Sequence, residues 1–282
     1  MRLAVFSHAG STRLGVVLED EVADLAAVAP GLPRDLLPVL EAGAEALAAL
    51  GRAAQRAPRL PLAAVRLRAP IARPPKFLGI GLNYADHAAE TGRQAPSFPV
   101  FFNKQSTCIA GPFDPIVRPR VSTQLDYEGE LGFVIGRRCR AVPRDRAAEV
   151  IAGYLVVNDV SVRDWQAKAP TMTLGKSWDT HGPIGPWLVT ADALDDPHGL
   201  ALRTWVNGEL RQDSNTRQML VDCFAQVELL STVCTLEPGD IVTTGTPAGV
   251  GVATGRFLAA GDVVRIEIEE IGAIENRVVD EP

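Results

Sequence analysis

The sequence predicts an α+β chain that is mostly β, a roll or barrel of short strands. From Phe77 onward, short β-branched and aromatic runs alternate with Gly, Pro and Asp. Only two stretches in that part carry helical spacing. The chain has 282 residues, 46% hydrophobic and 22% charged, an ordinary globular composition with enough length for a substantial core. Many short strands with few helices fit a rolled sheet better than a doubly wound α/β sheet.

The elements follow in order. Residues 2 to 25 hold short apolar pieces around Ser-His-Ala-Gly-Ser, a hairpin-like start. The Ala/Leu-rich stretch from Leu36 to Ala54 predicts one or two helices. Two proline clusters, Ala57-Pro-Arg-Leu-Pro and Ala69-Pro through Arg73-Pro-Pro-Lys76, then suggest a linker. The predicted organisation is therefore a small N-terminal α/β module over 1–70 and a larger domain over 71–282. Strands are predicted at Phe77 to Gly81, Val100 to Asn103, Glu130 to Ile135, Gly153 to Asn158, Gly185 to Thr190, Leu202 to Val206, Asp240 to Thr244 and Val263 to Ile268. Helices are predicted at Asp145 to Ile151 and Thr216 to Thr232, the latter with a core-facing stripe of Met219, Cys223, Phe224, Val227 and Leu230. The turns Leu236-Glu-Pro-Gly-Asp and Leu258-Ala-Ala-Gly-Asp each lead into a Val/Ile run, which predicts shared turn chemistry.

Several function classes drop out. A net charge of −6 without a basic cluster argues against nucleic acid as a partner. No apolar stretch approaches the ~20 residues of a membrane helix, and the N-terminus turns polar too early for a signal peptide. Cys108, Cys139, Cys223 and Cys234 show no Cys-x-x-Cys spacing, so neither zinc nor a disulfide framework is indicated. A cytoplasmic protein is expected.

Three carboxylates attract attention. Glu128 and Glu130 flank one glycine at the head of a strand-like run, so both project from one face. Mutual repulsion would raise a pKa there unless a cation sits between them. Asp159 ends a second apolar run, Tyr154 to Val157, and can add a third oxygen, a donor set suited to Mg²⁺, Mn²⁺ or Ca²⁺. Spacing alone favours an ordinary surface pair, since such pairs are common.

Other residues add to this. His87 and Glu90 stand at i, i+3, where a helical turn would let the carboxylate orient the imidazole as a general base. Lys176, among Gly, Pro and Trp, can neutralise a substrate carboxylate or a developing oxyanion. Arg163 and Gln166 lie just beyond Asp159, within reach of whatever a metal there would bind. The Gly-rich loop from Thr243 to Gly255 has neither P-loop nor dinucleotide spacing, but its amides and the Thr246 hydroxyl suit a small anion.

Taken in order, the segments resemble the fumarylacetoacetate hydrolase family. The matching pieces include Gly-Leu-Asn-Tyr-Ala-Asp-His-Ala-Ala-Glu, Leu-Asp-Tyr-Glu-Gly-Glu-Leu, Val-Asn-Asp-Val-Ser-Val-Arg-Asp-Trp-Gln, Gly-Lys-Ser-Trp-Asp-Thr and Thr-Thr-Gly-Thr-Pro-Ala-Gly-Val-Gly. The resemblance implies a mixed β-sandwich roll, assembled as a homodimer, acting on a small 2-oxo acid. It implies Glu128, Glu130 and Asp159 as Mg²⁺ or Mn²⁺ ligands, with Asp126 behind them. His87, Glu90 and Lys176 become the catalytic residues, and Arg163, Gln166 and Thr246 contact substrate. The implied reaction is hydrolysis of a C–C bond in a 2,4-dioxo acid of acylpyruvate or diketo-deoxy sugar acid type. An oxaloacetate-type decarboxylase and a 2-hydroxydienoate isomerase are the alternatives.

Overall fold

The structure, a computed structural model, describes residues 1–90, 92 and 96–282. Among the described residues, strands gather into a twelve-stranded mixed sheet, a five-stranded sheet and a two-stranded ribbon. The main path of the large sheet runs Arg59–Pro61, Glu21–Asp24, Ser11–Leu18, Arg2–His8, Gly182–Thr190, Ile151–Asn158, Gly129–Ile135, Ile241–Thr243, Phe77–Gly81 and Val100–Lys104. The five-stranded sheet runs Glu209–Asn215, Ala201–Val206, Val263–Ile268, Gly272–Asp280 and Ile116–Arg118. Mixed sheets with few helices bear out the mostly-β expectation. No helix of the described residues is long and apolar enough to cross a membrane.

Strand Gly129–Ile135 separates two cores by simple alternation. Leu131, Phe133 and Ile135 enter one core with Leu202, Ile266 and Ile274 of the five-stranded sheet. Val134 enters the other, with Leu155, Val157 and the helical residues Val39, Leu40 and Leu50. Glu128 and Glu130 share the parity of Val134 and so emerge on that second face. Gly129 faces the other way, where an added Cβ would lie 2.3 Å from Thr204 Oγ1 and 3.0 Å from Gln212 Oε1. The Glu-Gly-Glu order follows: two side chains point one way, and nothing larger than hydrogen fits between them.

The N-terminal residues join this sheet directly. Arg2 and Leu3 pair with Val189 and Leu188, and Leu3 and Val5 share a core with Ile184. The hydrogen bonding thus continues across residue 70, and a two-module division at that point stands as a proposal about organisation.

Some expected elements differ. The helix expected over Thr216 to Thr232 is two pieces, a 3-10 turn Thr216–Gln218 and an α-helix Cys223–Val233. Asn83 causes the break. Its carbonyls accept from Leu220 N and Val221 N, and its amide donates to Val221 O, while Asp222 caps the new helix through Ala225 N. The helix expected over Asp145 to Ile151 is a 3-10 segment Arg144–Val150, because Ile151 already pairs with Ile135 in the sheet. Strands Glu209–Asn215 and Gly272–Asp280 escaped the sequence reading. The first is almost wholly polar, and the second turns Asn276 inward to donate to the carbonyl of Asp114. The two similar turns do share chemistry, since Asp240 Oδ2 accepts from Glu237 N and Asp262 Oδ2 from Ala259 N.

His181 carries a pH dependence. Its side chain is buried, and its Nε2 is bonded to Val117 O at 2.9 Å. Burial pushes its pKa down to about 3, so the ring enters the fold neutral. An unfolded histidine titrates near ~6.5, so between that pH and about 3 the unfolded chain binds one more proton. Stability from this group is present above that window and falls as pH drops through it, by up to ~1.4 kcal/mol per pH unit. Urea unfolding at a series of pH values should therefore show a shallower acid slope in His181→Gln than in the parent, by about one proton.

Candidate active site

The sheet register brings the three carboxylates together. Gly129 pairs with Asn158 and Glu130 with Val157, so Asp159 emerges beside Glu128, whose carbonyl accepts from Asp159 N at 2.9 Å. Ligand oxygens of Glu128, Glu130 and Asp159 lie within 4.8 Å of one another, and all three residues are buried.

Three buried cations hold this charge. Lys176 Nζ donates to Glu128 Oε2 at 2.6 Å and Asp159 Oδ2 at 2.7 Å. Arg163 bridges Glu128 Oε1 at 2.6 Å and Asp126 Oδ2 at 2.8 Å. Lys104 Nζ donates to Asp159 Oδ1 at 2.6 Å. Among the described residues, Glu130 has no such cation. It accepts from the Thr243 hydroxyl and from Gly245 N at 2.7 Å.

The electrostatics divide the two glutamates. Burial alone would raise the Glu128 carboxyl, but Lys176 and Arg163 overcome it and hold it well below the ordinary range. Burial, then the charges of Asp159 and Glu128, push Glu130 well above that range. Burial likewise opposes the Lys176 ammonium, yet Asp159 and Glu128 outweigh it and raise its pKa. Three hard oxygen donors, one of them strained by its neighbours' charge, fit a divalent cation such as Mg²⁺, Mn²⁺ or Ca²⁺.

The cations are set by local structure. The single turns Arg163–Gln166 and Thr173–Lys176 pack so closely that a Cβ at Gly175 would meet Gln166 N at 2.4 Å. Arg163, Gln166 and Lys176 therefore reach the site as one unit, with Gln166 Oε1 accepting from Arg163 Nη1 at 3.0 Å. Asp126 lies outside the ligand cluster. It anchors Arg163 and accepts from Gly251 N and Val252 N.

Opposite stands the short helix Ala85–Glu90. His87 Nδ1 lies 3.3 Å from Glu90 Oε2, the pairing the sequence suggested. Glu90 Oε1 accepts from Gly249 N at 3.0 Å, which ties this helix to the Gly-rich loop. That loop departs from expectation. Its amides at Gly245, Gly249, Gly251 and Val252 donate to the protein's own carboxylates, so they do not await an anion. The Thr246 hydroxyl donates to Gly129 O at 3.0 Å and accepts from Gln212 Nε2 at 2.8 Å.

A cavity of about 930 Å³ joins these parts. His87, Glu90, Glu128, Glu130, Arg163, Gln166, Lys176 and Thr246 all line it, beside Ile80, Val100, Phe102 and Val252. Asp159 contributes from beneath the lining. Lys104 and Gln212 were missed in the sequence. Lys104 closes strand Val100–Lys104 with no nearby acid, its partner being 55 residues away. Gln212 sits in a polar strand, yet its Oε1 accepts from Gly129 N between the two glutamates.

Comparison with known proteins follows from this geometry. The profile described as fumarylacetoacetate (FAA) hydrolase C-terminal matches residues 76–279. This chain belongs to the fumarylacetoacetate hydrolase family. An oxaloacetate tautomerase, mitochondrial, from Xenopus laevis is 44% identical over 99% of this chain and 90% of its own length. Maleylpyruvate hydrolase of Sphingobium sp. SYK-6, solved with manganese(II) and pyruvate, matches this family member with a TM-score of 0.85 at 36% identity, covering 100% of both chains. A 5-carboxymethyl-2-hydroxymuconate delta-isomerase from Mycobacterium smegmatis matches with a TM-score of 0.81 at 39% identity, again over 100% of both. The relatives of this family member thus include a hydrolase, an isomerase and a tautomerase.

Two outcomes follow for a metal at the cluster. Asp159→Asn and Glu130→Gln should each weaken Mn²⁺ binding by at least about tenfold, read by calorimetry without substrate. Binding to the parent should release a proton from Glu130, whose carboxyl is held well above the ordinary range and must ionise as the metal enters. Calorimetry in buffers of different ionisation enthalpy counts that proton, and affinity should rise with pH.

Proposed function

We propose that the protein is a divalent-metal-dependent enzyme that hydrolyses a C–C bond in a 2,4-dioxo acid of acylpyruvate or diketo-deoxy sugar acid type. The observation that carries this reading is the His87–Glu90 pair facing a three-carboxylate cluster across one cavity. Glu128, Glu130 and Asp159 would hold Mg²⁺ or Mn²⁺, whose Lewis acidity suits the oxygens of a 2-oxo acid.

The chain's own groups do the rest. Glu90 fixes the tautomer of His87 with the proton on Nδ1, which makes the other ring nitrogen the base. That nitrogen takes a proton from water as the water oxygen attacks the distal carbonyl. The bond between that carbonyl carbon and the adjacent carbon then breaks, leaving a carboxylic acid and an enolate. Lys176, with Arg163 behind it, places positive charge where the enolate develops. His87 can return its proton to the enolate carbon, which completes the 2-oxo acid.

A second reading is keto–enol conversion of an oxaloacetate-type acid, favoured by the 44% identity to the Xenopus laevis tautomerase. It needs the same proton carrier but no attacking water. Incubating the Mn²⁺-loaded protein with an acylpyruvate should release pyruvate, and His87→Ala should lower that rate by about 10²–10⁴-fold. Absence of pyruvate release, with accelerated loss of enol-oxaloacetate absorbance, would replace the first reading by the second.

A further inference from the structure

Lys104 is a lysine whose charged end is completely buried. Its Nζ donates to Asp159 Oδ1 at 2.6 Å, to His181 O at 3.1 Å and to the carbonyl of Lys176. All three ammonium donors are used. It does not line the cavity, so it touches neither substrate nor solvent there. It occupies one oxygen of Asp159, while Lys176 holds the other.

The charge count around it is informative. Among the described residues, the contiguous cluster contains four carboxylates, Asp126, Glu128, Glu130 and Asp159, and three cations, Lys104, Arg163 and Lys176. With all four carboxylates ionised around a divalent ion, one positive charge remains. That surplus matches the single carboxylate at the head of a 2-oxo acid. Without Lys104 the loaded cluster would be neutral. A buried positive charge beside a ligand oxygen opposes a metal and favours an anion, and burial makes both effects strong.

We propose that Lys104 sets the charge of the loaded site, weakening the metal's hold so that the site retains a net positive charge for the substrate's carboxylate. It is a positioning residue that acts through Asp159, and the inference rests on the reading of Glu128, Glu130 and Asp159 as metal ligands. Its signature is a trade, since removing the charge improves one ligand and harms the other. A lysine that merely braced the loops would give a different pattern, with both ligands weakened.

Calorimetry can measure Mn²⁺ alone, then oxalate, as a mimic of a 2-oxo acid enolate, on Mn²⁺-saturated protein. Lys104→Met should bind Mn²⁺ tighter by roughly tenfold or more and oxalate weaker by a similar factor. Lys104→Gln, which keeps a donor for Asp159 without the charge, should move both affinities in the same directions and carries the comparison if the methionine variant does not fold. Lys104→Arg, which retains the charge, should keep the parent's balance between the two ligands. Weakening of both ligands in the methionine and glutamine variants, or no change in either, overturns the proposal. Failure of the parent itself to bind Mn²⁺ overturns the metal-site reading as well, which distinguishes the two failures.

Discussion

Burying four carboxylates together, three at the strands of the large sheet and Asp126 on the neighbouring ribbon, is the constraint on which this molecule turns. An isolated carboxylate there would neutralise itself instead of staying charged. Three buried cations keep most of this cluster ionised, and each is tied to the fold by further bonds. Lys104 grips two carbonyls, Arg163 is buttressed by Asp126 and Gln166, and Lys176 rides on a turn packed against Gln166. Removing one partner of such a pair typically costs ~3–5 kcal/mol, because it strands the other charge. The site is therefore also a structural keystone.

The sheet supplies the geometry at little conformational cost. Two adjacent antiparallel strands present Glu128, Glu130 and Asp159 in fixed register, and Gly129 lets the five-stranded sheet press close behind them. Gln212 completes the clamp by accepting from Gly129 N while donating to Thr246 Oγ1 and Pro247 O. Ligands carried on strands and clamped from the rear hold their spacing before a cation arrives, which is what pre-organisation requires.

Much of this was legible in the sequence, and the reasons are physical. Alternation revealed that Glu128 and Glu130 share a face, and the i, i+3 spacing revealed the His87–Glu90 pair. Local patterns of that kind survive folding because one element carries both residues. Lys104 was illegible because its partner Asp159 is brought to it by the sheet across 55 residues. The break in the expected Thr216–Thr232 helix was hidden for the same reason, since the cause is Asn83, more than a hundred residues away. The Gly-rich loop misled in a different way. Its amides do donate to carboxyl oxygens, but those oxygens belong to Glu130, Glu90 and Asp126 of the protein itself.

The cavity's other wall bears on which reaction the cluster serves. A hydrolase, an isomerase and a tautomerase all share this fold, so identity across the whole chain weighs mainly the common scaffold. At about 930 Å³ the cavity sits near the upper end of small-molecule pockets, more space than a four-carbon acid fills. Ile80, Val100, Phe102 and Val252 make much of that space apolar. Burying an acyl tail against them would contribute ~25 cal/mol per Å², a gain a second carboxylate would not share. Among the described residues, Lys168 is the cation lining the cavity outside the carboxylate cluster, stacked 3.5 Å over the Trp165 ring. A dicarboxylate would have to reach that lysine to find a counter-charge. An acylpyruvate would not, and this supports the proposed acylpyruvate reading over a dicarboxylate substrate.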